Sequence, residues 1–271
     1  LGTCEKISRL NEIIESLGRV VVAFSGGVDS TFLAAAAIRV LGDKAVLATA
    51  YSPTSSEQEK KDITSLVASL GMEHVWLPAA ELDNPLFLEN TAQRCYYCKQ
   101  GRFGALVEWA KTHGFDWVIE GTNADDLSDF RPGMKAIAEL EAVKSPLLDA
   151  GFSKEQIRAV SKEWDLPTWD KPSAACLVSR LAYGLAITPG RLEQVDKAEQ
   201  LIKGFVKGQI RVRHHGDLAR IEVSPQSITE LAQPLAAAAV VSGLKKLGFT
   251  FVTLDLAGYR TGSMNEMLDE V

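Results

Sequence analysis

From residue 5 to about residue 120, short apolar runs rich in β-formers alternate with stretches whose apolar positions recur at helical spacing. The runs at 20–24, 46–51, 74–77 and 116–120 predict strands. Between them lie an Ala-rich helix at 30–41, a helix at 56–70 opened by Ser56 with Glu59 and closed before Gly71, and a helix at 99–113 before Gly114. This order predicts an α/β fold, a doubly wound and mostly parallel sheet with ligands at the carboxyl ends of its strands. Further on, a helix is expected near 135–143, and Ser153 with Gln156 caps another that ends before Pro167. Residues 165–190 read as irregular. The pattern then changes to a helix from Pro189, strands at 210–214 and 219–223 around Gly216-Asp217, a helix at 226–247 and a strand at 249–256. We expect a first domain over 1–185 and a smaller α+β domain over 186–271.

Length and composition narrow the classes. The 271 residues suffice for two apolar cores, and 46% hydrophobic with 24% charged residues is ordinary for a globular chain. The longest apolar runs, 32–38 and 235–241, fall far short of the roughly 18 residues of a membrane span, so no membrane association is expected. No basic start followed by an apolar core marks a secretion signal, and a cytoplasmic location is the expectation. A net charge of −6 argues against wholesale capture of nucleic acid, which needs clustered Lys and Arg.

The first strand runs directly into Ser25-Gly26-Gly27-Val28-Asp29-Ser30 and then a helix, so backbone N–H groups and a helix dipole converge on one point. Adjacent glycines allow close approach to an oxyanion, Ser25, Ser30 and Thr31 offer hydroxyls, and Asp29 would hold Mg2+ beside pyrophosphate. Ala23, Phe24, Ser25, Gly26, Gly27, Asp29 and Ser30 are therefore the candidate nucleotide contacts, and Asp29 is also a candidate catalytic residue. Neither a GxxxxGK[ST] nor a GxGxxG loop is present, which removes the main support for kinase and nicotinamide chemistry. Asn123, Asp125, Asp126 and Arg131 follow the strand at 116–120, where such a sheet gathers ligands, and are expected at the nucleotide or metal. Asx-rich turns also arise simply to cap the next element.

AFSGGVDST resembles the SGGxDS signature of PP-loop ATP pyrophosphatases, which release pyrophosphate and form adenylates. The stretches EGTNADDLSDFRPG (120–133), WDKPSAACLVSRLAYG (169–184), IRVRHHGDLARIEV (210–223) and FVTLDLAGYRTGSMN (251–265) together resemble the LarE-type sulfur transferases. That resemblance spans nearly the whole chain. It implies two rounds of carboxylate adenylation on pyridinium-3,5-biscarboxylic acid mononucleotide, each followed by sulfur delivery, for the nickel-pincer cofactor of lactate racemase. A PP-loop tRNA thiolase would share the adenylation but needs an extended basic face, which the acidic balance disfavours.

Adenylation requires ATP, a metal to spread pyrophosphate charge, and cationic donors for developing oxyanions. Arg180, Arg211, Arg213 and Arg260 are candidates for the substrate's phosphate and carboxylates, since guanidinium forks bind such anions bidentately. Arg211 and Arg213 alternate along one strand and share a face, which a solvated basic edge strand would equally produce. Glu222 and Asp255 would orient those arginines or bind metal, whereas His214 and His215 are expected in a turn or at the surface.

Of the four cysteines, Cys176 lies in a polar, cationic stretch with Ser173, Ser179 and Arg180, a setting that favours thiolate. The LarE-type pattern places its sulfur-handling cysteine here, and some members consume that sulfur and keep dehydroalanine. Cys95-Tyr96-Tyr97-Cys98 is unnecessary for such a sacrifice. The pair would serve as redox dithiol, zinc ligands in a closed site of all four thiols with Cys4 and Cys176, or, with Cys176, three ligands of a [4Fe-4S] cluster with one open iron. The three-thiol members of the family favour the cluster, with Cys95, Cys98 and Cys176 as ligands and sulfide or another sulfur donor as partner. A homo-oligomer is also expected.

Overall fold

The computed structural model describes residues 2–128, 132–172 and 175–267. Its first elements are α1 (Thr3–Leu17), β1 (Val20–Ala23), α2 (Val28–Leu41), β2 (Ala45–Tyr51), α3 (Glu57–Leu70) and β3 (His74–Pro78). There follow α4 (Pro85–Leu88), α5 (Arg94–Thr112), β4 (Trp117–Ile119), α6 (Pro132–Ala138), β5 (Val143–Lys144), α7 (Pro146–Asp149) and α8 (Lys154–Glu163). The last are α9 (Pro189–Lys203), β6 (Ile210–His215), β7 (Leu218–Val223), α10 (Pro225–Leu231), α11 (Pro234–Lys246) and β8 (Phe251–Leu254).

Strands β1 to β5 form one parallel sheet in the order β3-β2-β1-β4-β5. Its central strands are buried on both faces, as crossover helices require. Val20 and Val22 pack with α1, α2, α3 and α8 on one side, and Val21 with Phe103, Leu106 and Ala110 of α5 on the other. The order reverses at β1, whose neighbours are β2 and β4, so the crevice outside the carboxyl ends of β1 and β4 is the topological switch point.

Three boundaries depart from expectation. Helix α5 begins at Arg94, so Cys95 and Cys98 lie within its opening turns instead of before it. The helix expected at 135–143 ends at Ala138, and Val143–Lys144 is an edge strand pairing with β4 over two residues, too short for any periodicity to reveal. The helix expected at 226–247 is two helices meeting at a bend of 88°. Pro234 causes the break, because it lacks the N–H an uninterrupted helix would use and its ring collides with the preceding turn. Among the described residues no single helix is long and apolar enough to cross a membrane.

The chain divides into two compact units: 1–52, 58–84 and 95–174 in the first, and 53–57, 85–94 and 175–271 in the second. The second unit thus holds residues 175–185 and two short earlier segments, whereas a cut near 185 was expected. Tertiary hydrogen bonds account for the difference. Asn90 donates from Nδ2 to the carbonyls of Ala182 (2.8 Å) and Leu185 (2.9 Å), and Leu177 donates its N–H to the Thr54 carbonyl (2.9 Å). Its sheet has the order β6-β7-β8, antiparallel then parallel. Ile210, Val212, Ala219, Ile221 and Val223 pack against Ala198 and Ile202 of α9 and Val240 and Leu244 of α11.

Candidate active site

In the first unit, the loop after β1 is shaped by one glycine in the left-handed region. Gly26 has φ +65°, and a Cβ there would stand 2.9 Å from the Ile63 side chain. Gly27 caps α2 without any side-chain hydrogen bond, and the first bond closing the helix runs from Thr31 N–H to the Gly27 carbonyl. The N–H groups of Val28, Asp29 and Ser30 therefore precede the intrahelical ladder, the arrangement that binds anions. Ser25 and Ser30 hydroxyls lie 3.1 Å apart, and Ser25 N–H donates to Ser30 Oγ at 3.3 Å. Phe24 is anchored from both sides, its N–H donating to Ala48 and its carbonyl accepting from Thr49 Oγ1 (2.6 Å). Ala23 ends β1 directly beneath this turn.

Gly121, just after β4, lies against the same loop: a Cβ on it would meet the Asp29 carbonyl carbon and the Ser30 nitrogen at 3.2 Å. Asp29 Oδ2 is ion-paired with Lys154 Nζ, while its Oδ1 is buried without a hydrogen-bond partner among the described residues. An orphaned buried carboxylate oxygen beside a row of open N–H groups suits a divalent cation bridging to phosphate. Lys171 donates from Nζ to the Gly26 carbonyl at 2.9 Å, and Arg158 holds the Lys171 carbonyl at 2.9 Å. Neither Lys154 nor Lys171 was among the sequence candidates. Lys171 lies inside the quoted 169–184 stretch and was open to that approach, whereas Lys154 is only the first residue of a capped helix.

Asn123 and Asp126 form a turn: Asn123 N–H donates to Asp126 Oδ2 (3.0 Å), Asp125 N–H to Asn123 Oδ1 (3.0 Å), and Lys154 N–H to Asp125 Oδ2 (2.8 Å). These are the bonds of an Asx turn seated on α8. Arg131 lies outside the described residues. Glu120 is buried and accepts from Thr122 N–H (3.0 Å) and Oγ1 (2.8 Å) and from Ser145 Oγ, which fixes the end of β4.

In the second unit, Cys176 is exposed and caps a short 3-10 turn, Leu177–Arg180. Arg180 is 5% exposed. Its Nε and Nη2 engage Glu199 Oε1 and Oε2 at 2.9 and 3.1 Å, and its Nη1 donates to the carbonyls of Ala175 and Cys176 (3.0 Å). Glu199 also accepts the Val212 N–H at 3.1 Å.

The cross-strand register puts Arg211 opposite Glu222 and Arg213 opposite Arg220, all four on one sheet face. Glu222 is fully buried and accepts from Arg213 Nε (3.0 Å) and Nη2 (2.7 Å) and from Ser263 Oγ (2.7 Å), with Arg220 Nη2 at 3.1 Å. Arg213 is thus consumed internally, where the sequence suggested a paired phosphate clamp with Arg211. Arg211 has no carboxylate at ion-pair distance among the described residues, and its guanidinium lies 5.3 Å over the Tyr259 ring. Burial, then the charge of Arg180, lowers its pKa, so an added anion would relieve both effects. Arg260 pairs with Glu266 (3.1 Å) and Asp255 (3.6 Å), the Glu266 hydrogen bond raising its pKa. His214, expected at the surface, is buried: Nε2 lies 2.8 Å from Gln194 Oε1, the ring packs on Phe249, and burial lowers its pKa to about 4. A side chain on the inner face of β6 has no exposed alternative, which the sequence-based reading of 214–215 as a turn overlooked.

Cys95 and Cys98, three residues apart on a helix, share a face, which fits two ligands of one centre. Cys176 belongs to the other unit. Among the described residues no group of three or more His, Cys, Asp or Glu is arranged to hold a metal ion.

Comparison with known proteins locates this architecture. The NAD synthase family model matches residues 8–95, the segment that carries the phosphate loop. Pyridinium-3,5-bisthiocarboxylic acid mononucleotide synthase of Lactiplantibacillus plantarum is 35% identical over 264 residues, 97% of this chain and 95% of that protein. The chain belongs to the LarE-type PP-loop sulfur transferases. It is an ATP-using sulfurtransferase. An uncharacterised protein of Synechocystis is 39% identical over 263 residues, 97% of this chain and 98% of its own length. A tRNA-specific 2-thiouridylase of Desulforamulus reducens is more distant, 25% identical over 201 residues, 58% of this chain and 53% of that protein.

Proposed function

We propose that this enzyme adenylates the carboxylates of pyridinium-3,5-biscarboxylic acid mononucleotide and converts them to thiocarboxylates for the nickel-pincer cofactor of lactate racemase. The observation that carries the reading is near full-length similarity to the Lactiplantibacillus plantarum synthase, joined to an open phosphate loop with an orphaned Asp29 oxygen. Asp29 would hold Mg2+, the loop N–H groups would take the leaving pyrophosphate, and Lys154 and Lys171 would keep loop and carboxylate in place. Arg211 would receive an anionic group of the substrate, with Arg260 available once its surface pairs exchange. Cytoplasmic location and a homo-oligomer complete the reading. Exposed Leu235 (89%), Leu256 (85%) and Phe251 (60%) in the second unit support self-association.

Sulfur would come from sulfide, with Cys95, Cys98 and Cys176 holding a [4Fe-4S] cluster that would supply Lewis-acid activation of the sulfide. Supporting this are the shared face of Cys95 and Cys98 and the exposure of Cys176.

The test is mass spectrometry of the pyridinium mononucleotide after incubation with ATP, Mg2+ and sulfide, where oxygen-for-sulfur replacement is expected once and then twice. An unchanged mononucleotide with tRNA thiolated instead would overturn the substrate. Anaerobically purified protein should carry about four irons and lose them on substitution of Cys95, Cys98 or Cys176, but not of Cys4. Dehydroalanine at 176, with activity kept in a Cys95/Cys98 double variant, would replace the cluster with sacrificial transfer.

A further inference from the structure

We infer that Arg180 is a positioning residue: together with Glu199 it clamps the peptide that follows Cys176 and so aims the Cys176 thiol. The inference rests on the reading above that this thiol handles sulfur.

Both edges of the peptide group joining Cys176 to Leu177 are occupied. Its carbonyl accepts from Arg180 Nη1 (3.0 Å), Ser179 Oγ (2.8 Å) and Ser179 N–H (3.1 Å), and its N–H donates to the Thr54 carbonyl (2.9 Å). Arg180 reaches one residue further back to the Ala175 carbonyl. The guanidinium is fixed in turn by the two-pronged contact with Glu199, and Glu199 Oε1 is tied to the β6 backbone through Val212 N–H. A chain of charge-assisted bonds therefore runs from the rigid sheet to the backbone of an irregular segment. It leaves the Cys176 side chain exposed while the peptide that follows it is hydrogen-bonded on both edges. Arg180 itself is buried, with five acceptors on protein atoms, so it is spent on holding the segment instead of gripping a ligand. Ser179 Oγ, 3.0 Å from Nη1, closes the same network.

Arg180→Ala alone would strand the buried Glu199 charge and risk the fold, so the paired variant Arg180→Met/Glu199→Met and the conservative Arg180→Lys accompany it. Circular dichroism and a cooperative melt establish folding. In the folded paired variant, amide exchange of the peptide containing Leu177 and Ser179 is expected to rise about tenfold or more. The kcat for sulfur transfer should fall about a hundredfold, as for a displaced reacting group. KM for the pyridinium mononucleotide should stay within about threefold of the parent. Arg180→Lys, which keeps charge but not the fork, should fall between the two. A substrate KM raised tenfold or more with unchanged exchange would make Arg180 a direct ligand and overturn the clamp. Unchanged exchange with unchanged kcat would overturn it as well. Normal turnover in Cys176→Ala, alongside faster exchange in the paired variant, would leave the clamp standing and sink the role given to the thiol.

Discussion

The phosphate loop of the first unit and the charged sheet face of the second both look like anion sites, yet they spend their polar groups in opposite ways. Around Gly26 and Gly27 the donors are backbone N–H groups with no intrahelical partner, and the carboxylate beside them keeps one oxygen unbonded among the described residues. On the β6–β7 face, guanidinium groups outnumber carboxylates, but Glu222 absorbs Arg213, and Glu222 and Asp255 lie within ion-pair distance of Arg220, while in the same unit Glu199 of α9 takes Arg180. A helix terminus cannot satisfy its own first N–H groups, so it stays ready for a ligand. Side-chain cations can satisfy one another's counterions, so their number overstates what a ligand will find.

Substitutions can break that contrast, and the largest effect belongs to the open loop. Asp29→Ala should lower pyrophosphate release on the order of a thousandfold, with the melting curve nearly unchanged, because the lost group serves the ligand and not the core. Near-normal release would remove Asp29 from the chemistry.

Arg213→Ala should do the reverse and act first on stability. It removes two hydrogen bonds from a fully buried Glu222 and leaves it only Arg220 and Ser263, a change that costs about 3 kcal/mol, the lower end for breaking a buried pair. Denaturant unfolding measures it, and a loss below about 1 kcal/mol, the range of exposed pairs, would return Arg213 to the ligand side.

His214 sharpens the comparison through pH. Its folded pKa, lowered from 6.5 to about 4, lies below its unfolded value, so the unfolded chain binds the proton first. Its contribution is complete above about pH 6.5, falls as pH drops, and is exhausted near 4, on the order of 3 kcal/mol in all. His214→Gln should flatten that part of a Tm-versus-pH curve, and an unaltered slope would assign acid sensitivity elsewhere.

Arg211→Ala is expected to give the smallest change. A lost charge-assisted contact of about 2 kcal/mol would raise substrate KM roughly thirtyfold while leaving KM for ATP and the melting temperature in place. Equal weakening of ATP would mean that the two anion sites had been assigned to the wrong ligands.

Much of the nucleotide side was legible in the chain, because its signals are local. Strand, Gly-Gly turn and helix follow one another within a dozen residues, and the alternation of elements already placed ligands at the carboxyl ends. Lys154 and Lys171 escaped notice because they reach Asp29 and Gly26 from positions 125 and 145 residues away in the chain. Asn123 and Asp126 were recognised as a pair of interest, but whether such residues face a ligand or one another depends on how the turn closes, and here they bond within it.

By itself the sequence determined the elements whose cause is covalent or local: the parallel sheet from its runs of β-formers, the anion loop from two glycines before a helix, and the alternation that puts Arg211 and Arg213 on one face. Only the tertiary structure decided which charges remain available. Whether a guanidinium meets a carboxylate depends on cross-strand register and on segments far apart in sequence, as with Arg213, Glu222 and Ser263. The same holds for the second unit, whose segments 53–57 and 85–94 join residues 175–271 through bonds such as those of Asn90 to Ala182 and Leu185. Hydrophobic periodicity reports on a residue's own element, whereas ion pairing and burial of polar groups are properties of neighbours that only folding brings together.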